Sequence, residues 1–323
     1  MSVPQKHHYV PQFLLRRFAD SQKKLLVHPT DRDEPPRWSP VRKTAQTLGG
    51  HTLHWPGREP DHVGLENAMG SIETETGKVV AALLAGNART PSEDDREVLG
   101  FFLALQWYRS RFTLDLLERS VIDPDEPVDE LARSIAIRQI LPNVIWPWFA
   151  RREGEFDPKE RFCYIADWLM SHHWAWRLYR PAGPKLIVGD NIVCMWGTAA
   201  GETSQMPEAW THDGVGVGFN NCARVTVPLT PDLGLVIHRT NRPDLRTMTA
   251  VTFNRATIFN SREFVAHHPE GLPDPALRRA LLEDLWTQRQ LLPIIQASTR
   301  SAAEEDAREA ARRRRELPYS EPF

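Results

Sequence analysis

The sequence has few cysteines, no long apolar run and almost no charge imbalance. Its three cysteines, Cys163, Cys194 and Cys222, are odd in number and share no short spacing, so neither a disulfide framework nor a thiolate zinc site is expected. No apolar run approaches the roughly 20 residues that a spanning helix needs. Residues 1–20 also lack the apolar segment of a signal peptide. These absences predict a cytoplasmic protein that does not enter a membrane.

The charge balance and the missing motifs exclude several classes of function. Forty Lys and Arg stand against 42 Asp and Glu, which gives a formal net charge of −2, so any nucleic-acid contact must be confined to a local basic patch. The sequence contains no P-loop, no dinucleotide-binding glycine fingerprint, no His-Glu-x-x-His zinc motif and no Gly-x-Ser-x-Gly elbow. Kinases, dehydrogenases and the common hydrolases therefore have little support.

The 323 residues, of which 41% are apolar, are enough to bury a sizeable core. The pattern predicts an α+β fold, in which a helical middle third packs against a mixed or antiparallel sheet, with a small N-terminal β-containing cap and C-terminal helices. We expect one domain over residues 1–296, followed by a charged helical or frayed tail over 297–323. The expected parts of the domain are the cap at 1–62, the helical part at 63–172, the sheet part at 173–255 and further helices at 256–296.

Local patterns predict the individual elements. Apolar residues recur at helical steps from Leu65 to Leu84, and Ser92 is expected to cap the next helix, which runs beyond Arg109. Pro142 and Pro147 should kink or split a further helix. The expected strands are Trp174–Tyr179, Leu186–Trp196, Arg224–Leu229, Gly234–His238 and Met248–Val251, and the expected last helices are Ala256–Phe264 and Pro275 to about Arg315.

The densest candidate site lies near the N-terminus, where His7 and His8 are adjacent. On an extended segment they point to opposite faces, so one faces the core and the other a cleft. Near neutral pH an imidazole in a cleft is a general base or a metal ligand. The alternative is that both histidines are structural or lie on the surface.

A second candidate site is Gly189-Asp190-Asn191, which follows an apolar run. A carboxylate and an amide at the end of a strand often serve as metal ligands or hydrogen-bonding groups. The alternative is a turn in which Asp190 caps nearby backbone amides.

The third candidate group lies on the predicted helices. Glu66 and Glu73 are seven residues apart and share a helix face, as do Gln106 and Arg109 on the following helix. Either glutamate is a candidate metal ligand or a partner for Arg109. A buried Glu–Arg pair without chemistry is the commoner arrangement.

The segment from Lys6 to Phe18, with its His-His-Tyr-Val-Pro motif, resembles the start of the bacterial domain of unknown function 4238 family. Further matching segments follow in the family's order. They are Leu65-Glu66, Ile72-Glu73, Ala104-Leu105-Gln106 with Arg109, Gly189-Asp190-Asn191, Pro228-Leu229-Thr230-Pro231 and Phe253-Asn254. Two departures are Gly189 and Ile192 where the family has Ser and Pro, and Ser110-Arg111 where it has Thr-Pro. The family has no settled activity, so the resemblance implies no reaction.

The same opening is similar to the His-His-x-x-Pro of ββα-metal nucleases, in which one histidine activates water beside a divalent ion. Those enzymes need an Asn and a further His or Asn close behind. Here no Asn lies between His8 and Asn67, and the histidines between them are His28, His51, His54 and His62. The similarity is therefore incomplete.

Together these residues lead to the hypothesis of a metal-dependent phosphodiesterase or nuclease in a defence or toxin context, acting on nucleic acid or another phosphate-containing ligand. The catalytic candidates are His7, His8, Arg109 and Asn191, and the candidate ligands of Mg²⁺, Mn²⁺ or Zn²⁺ are His8, Glu66, Glu73 and Asp190. The alternative is a non-catalytic ligand-binding or interaction module in which these groups are structural. The basic run Arg312–Arg315 also leaves open a tail that binds an acidic partner or nucleic acid, with a solvated helix end as the alternative.

Overall fold

The computed structural model describes residues 6–48, 50–55, 57–120, 130–153, 159–183, 185–198, 217–241, 248–272 and 274–316. This part of the chain contains helices together with three sheets in which all the paired strands are antiparallel. The predicted α+β fold is therefore confirmed.

The N-terminal part holds short strands around one helical turn. Its elements are β1 (Lys6–His8), α1 (Gln12–Leu15), β2 (Lys24–Pro29), β3 (Arg37–Pro40), a 3₁₀ turn (Val41–Lys43) and β4 (Gln46–Leu48). Strand β1 pairs antiparallel with β4, with His7 opposite Thr47 and His8 opposite Gln46. This pairing fixes the two histidines on a short ribbon.

The helical part begins where the apolar spacing changes. Its elements are α2 (Gly64–Ala85), α3 (Glu93–Arg109), α4 (Arg111–Ser120), α5 (Glu130–Arg138), a π-helical turn (Leu141–Ile145), α6 (Trp146–Glu153) and α7 (Tyr164–Met170). Ser92 starts α3 as predicted, because its side chain accepts from the Asp95 amide in a capping box. The turn that contains Pro142 separates α5 from α6, so the predicted split is confirmed.

Two four-stranded antiparallel sheets follow. The remaining elements are β5 (Trp174–Tyr179), β6 (Val188–Gly189), β7 (Cys194–Thr198), β8 (Cys222–Thr230), β9 (Leu233–Arg239), α8 (Ala250–Asn260), β10 (Phe264–His267) and α9 (Pro275–Glu316). One sheet has the order β3-β2-β10-β6 and the other β5-β9-β8-β7. The first sheet joins the N-terminal strands to the last strand.

Three local predictions are wrong. Met248–Val251 is not a strand, because Thr249 accepts from the Thr252 amide and starts α8. Phe264 does not end a helix but begins β10, which pairs with β2 and β6. The run Leu186–Trp196 is broken into β6 and β7.

A continuous apolar core runs from Tyr9 to Ala266 and includes buried residues of the cap, the helices and both sheets. Within the described chain, none of the helices is both long enough and apolar enough to span a membrane. The predicted division into a domain over 1–296 and a tail stays a prediction. Residues 317–323 of the tail and the side chains of Arg312–Arg315 lie outside the described part.

Candidate functional site

Two histidines and a glutamate come together between the N-terminal ribbon and α2. His7 lies on β1, His51 in the segment after β4, and Glu66 in the first turn of α2. One ligand atom from each of the three lies within 4.8 Å of the others. The His7 and His51 rings are stacked, with centroids 5.3 Å apart and planes 2° apart. We call His7, His51 and Glu66 the histidine cluster.

Backbone groups determine the tautomer of His7. The amide N–H of His51 donates to Nδ1 of His7 at 2.8 Å, so this nitrogen carries a lone pair. Nε2 of His7 lies 3.2 Å from the carbonyl oxygen of His62. Because a carbonyl only accepts, Nε2 carries the proton. Both His7 nitrogens are thus engaged with the backbone.

His51 and Glu66 form a hydrogen-bonded pair within the histidine cluster. Its Nδ1 contacts Oε1 of Glu66, and its Nε2 is buried and has no hydrogen bond among the described residues. Burial lowers the pKa of His51. Burial is the largest single influence on the pKa of Glu66 and raises it, but the hydrogen bond from His51 and the charges of His51, Arg109 and His7 together outweigh burial, so the net shift is downward. The resulting state is a neutral imidazole that donates to a carboxylate, which directs the Nε2 lone pair toward a metal ion or a proton.

Next to this pair, Glu73 of α2 holds the end of α3. Nη1 of Arg109 donates to Oε1 of Glu73 at 2.7 Å, and Nε of Arg109 donates to Oε1 of Gln106 at 3.1 Å. Arg109 is 1% exposed and Gln106 is 3% exposed. Nη2 of Arg109 and Nε2 of Gln106 have no hydrogen-bond acceptor within the described chain. The Glu–Arg pair that the sequence predicts for these helices is present. Two buried donor groups beside it, on Arg109 and Gln106, have no acceptor among the described residues.

His8 lies beside the same groups. Nε2 of Gln12 lies 3.3 Å from its Nδ1. Burial lowers the pKa of His8, although the Arg42 backbone and the Glu66 carboxylate act in the opposite direction. The charge of Arg109 acts on His8, His51 and Glu66 alike. The structure therefore brings His7, His8, Glu66, Glu73 and Arg109 into one electrostatic neighbourhood.

Asp190 and Asn191 are engaged elsewhere. The carboxylate of Asp190 accepts from the backbone amides of Arg262, at 3.0 and 3.1 Å, and of Phe264, at 3.2 Å. Oδ1 of Asn191 accepts from the Val193 amide at 3.3 Å. Burial, and next the charge of Glu263, raises the pKa of Asp190 to about 7. Asp190 thus caps the entry to β10, and no described hydrogen bond or ion pair joins it to the N-terminal histidines.

His51 and Gln106 are the residues whose place in the site the sequence did not indicate. His51 was only one of several histidines downstream of His8, in a segment without helical or strand periodicity. Gln106 is indicated by the helix face that it shares with Arg109 and by the family-like segment Ala104-Leu105-Gln106, but neither pattern gives it a role in the site. A buried partner 44 residues away, as in the His51–His7 contact, leaves no local signal in a single sequence.

The fold and the site define an α+β protein in which buried histidines and partly exposed carboxylates lie beside a buried arginine. The DUF4238 family, described as proteins of unknown function, matches residues 6–271. This match covers most of the chain, so the protein belongs to that family. No curated protein and no solved structure matches the chain.

Proposed function

We propose that the protein is a metal-dependent phosphodiesterase or nuclease whose ion is held by His7, His51 and Glu66. The observation that supports this proposal is the convergence of their ligand atoms within 4.8 Å. Two imidazoles and one carboxylate make a ligand set that leaves positions open for water and substrate, as in catalytic zinc sites. The set favours Zn²⁺ or Mn²⁺ over Mg²⁺, which prefers oxygen ligands.

Binding of a metal ion would replace hydrogen bonds that the histidine cluster makes in the structure. His7 would give up one of its two backbone contacts, and protons on the imidazoles and on Glu66 would compete with the ion. Ion binding should therefore release protons and be weaker at low pH.

The charges of the site suit a phosphodiester. Glu66 and Glu73 contribute two negative charges and Arg109 one positive charge, so the site with neutral imidazoles carries one net negative charge. A divalent ion reverses this to one net positive charge, which a phosphodiester monoanion neutralises. A divalent ion bound there would supply Lewis acidity toward water and the phosphoryl oxygen. His8 would take the proton from the attacking water, and Arg109 would stabilise the developing charge.

Asp190 and Asn191 are not part of this proposed ligand set, because their polar atoms bind backbone amides near β10 and β7. Phosphodiesterase activity, the narrower nuclease activity and the defence or toxin context all stay predictions.

Metal content and metal-induced thermal stabilisation test the proposal directly. Zn²⁺ or Mn²⁺ should raise the melting temperature of the wild type and support hydrolysis of bis(4-nitrophenyl) phosphate. His51→Ala and Glu66→Gln should abolish both effects. His173→Ala and Glu263→Gln are the matched controls, because these half-exposed or exposed residues lie outside the cluster, and they should keep both. A wild type that binds neither ion would overturn the metal proposal.

A second candidate function is a non-catalytic ligand-binding or interaction module. It is favoured by one observation, the engagement of both His7 nitrogens with backbone groups of His51 and His62. In that case His7 joins β1 to the segment before α2. His7→Ala would then lower the melting temperature by the same amount with and without metal ions, because lost buried hydrogen bonds cost about 1–3 kcal/mol each.

A further inference from the structure

The proposed metal site does not account for two buried donor groups at the end of α3. Nη2 of Arg109 and Nε2 of Gln106 have no acceptor among the described residues, although both side chains are almost fully buried. A buried donor that is left unpaired is costly. Two of them on neighbouring side chains indicate a site that is completed by something bound there.

Each donor is held in place by the other contacts of its own side chain. Nε of Arg109 donates to Oε1 of Gln106, so the amide of Gln106 is oriented with its NH₂ group as the remaining end. Glu73 binds Nη1 of the same guanidinium. The arginine is thus anchored at two nitrogens, and only its third nitrogen is left to bind a ligand.

The chemistry of these groups selects an anion. A guanidinium nitrogen and an amide NH₂ are donors without an available lone pair, so neither can bind a metal ion. Arginine is suited to phosphate because its planar fork matches the phosphate oxygens. The positive charge of Arg109 also acts on His51 and Glu66, so an anion held here lies beside the histidine cluster.

We infer that Gln106 and Arg109 form the oxyanion subsite that binds the phosphate group of a phosphodiester monoanion, with Gln106 as a substrate-binding residue. The identity of this substrate rests on the proposed function, whereas binding of the anion itself does not. The charge of the site favours a monoanion, because Glu66 and Glu73 would repel a phosphate dianion more strongly.

Gln106→Glu is the variant that tests the subsite most sharply. A glutamate preserves the acceptor for Nε of Arg109 but replaces the NH₂ donor with a second acceptor oxygen, so the fold is retained while the anion is repelled. Gln22→Glu adds the same charge at an exposed position far along the chain. It serves as the control for net charge.

Isothermal titration with dimethyl phosphate is carried out on both the metal-free and the Zn²⁺-loaded protein, with neutral trimethyl phosphate as the comparison ligand. Dimethyl phosphate should bind the wild type, and Gln106→Glu should weaken binding by at least about tenfold, because a hydrogen bond to a charged group is lost. Gln22→Glu should stay within about twofold, since an exposed charge is screened. Trimethyl phosphate should not bind.

Two results would overturn the subsite. One is equal binding of dimethyl phosphate by the wild type and by a folded Gln106→Glu variant. The other is a wild type that binds no dimethyl phosphate in either metal state, which would mean that water satisfies the two donors. Anion binding that depends on Gln106 without any metal uptake would support the subsite and contradict the proposed function. Metal-dependent hydrolysis with unchanged kinetics in Gln106→Glu would do the reverse.

Discussion

At the scale of single residues, burial shifts the pKa of Asp190 and the pKa values of His8 and His51 in opposite directions. The carboxylate of Asp190 accepts backbone amides from the start of β10, and burial together with Glu263 raises its pKa to about 7. His8 and His51 have lowered pKa values, because burial disfavours their charged forms. These histidines are therefore neutral near pH 7, and Nε2 of His51 has its lone pair available.

The raised pKa of Asp190 predicts a pH-dependent cost to stability. Its folded pKa of about 7 lies above the ordinary aspartate value of 3.8, so the folded state holds the proton more tightly than the unfolded state. The stabilisation is present in full below the unfolded pKa and is lost as pH rises through 7. Between pH 4.5 and 7.5 the wild type should lose about 3 kcal/mol more unfolding free energy than Asp190→Asn.

Urea unfolding of both proteins at the two pH values measures this difference. Taking the difference between variants removes contributions from other groups, such as the buried pair His28 and His267, whose pKa values are lowered. Equal pH dependence in the two proteins would contradict the prediction. Asp190→Asn should also leave metal uptake unchanged if the histidine cluster alone holds the ion.

At the scale of elements, one glycine sets how closely α8 approaches the second sheet. A Cβ at Gly234, on β9, would lie 2.5 Å from Cε2 and 2.7 Å from Cζ of Phe253. Phe253 is fully buried and stacks on Tyr179, the residue that pairs with Gly234 across β5 and β9. The helix is seated on the sheet through this contact.

Gly234→Ala should therefore destabilise the protein by about 2 kcal/mol, because overpacking forces the ring or the strand to move. Gly218→Ala is the matched control, since a Cβ there meets nothing within 4 Å. Chemical unfolding of the two variants gives the comparison. If both variants were as stable as the wild type, the ring of Phe253 would be free to move away and the close contact would not limit the packing of α8.

Periodic elements could be predicted from the sequence, whereas long-range pairing could not. The apolar spacing of α2, the cap at Ser92 and the bounds of β5 all follow from local patterns. Strand β10 has only four residues, and its position depends on pairing with β2, more than 230 residues earlier. The start of α8 depends on a side-chain cap from Thr249 within a β-rich sequence, so a strand was predicted there.

The same limit applies to the site. Glu66, Glu73 and Arg109 could be predicted as a group, since each lies on a helix face that the spacing defines. His51 could not, because its place beside His7 and Glu66 depends on the fold of a segment without periodicity. Asp190 is a sequence-based site candidate because it follows a predicted strand. That position does not distinguish a metal ligand from a side chain that binds backbone amides, and Asp190 is the latter.

At the scale of the whole molecule, the end of the family match does not coincide with the end of the packed part of the chain. The match ends at residue 271, before α9 begins. The first turns of α9 nevertheless complete a second apolar cluster, in which Leu277, Leu281 and Leu285 pack with Ile187 and Val265. Later in α9 the described side chains from Ala297 onward are exposed. The first half of the helix therefore packs against the rest of the protein, and the described side chains at the end of the helix are exposed to solvent.

Two truncations separate these halves. A chain that ends at residue 300 should melt within roughly 2 °C of the full chain, because an exposed helical extension contributes little to a domain of this size, and it should keep the same metal-induced shift. Its far-UV circular dichroism should lose the helical signal of 301–316. A chain that ends at residue 272 should unfold or aggregate, because it exposes the partners of Leu277, Leu281 and Leu285. A large loss of stability in the longer truncation product would show instead that the second half of α9 packs against the body, and the first 300 residues could then not be treated as the folded unit.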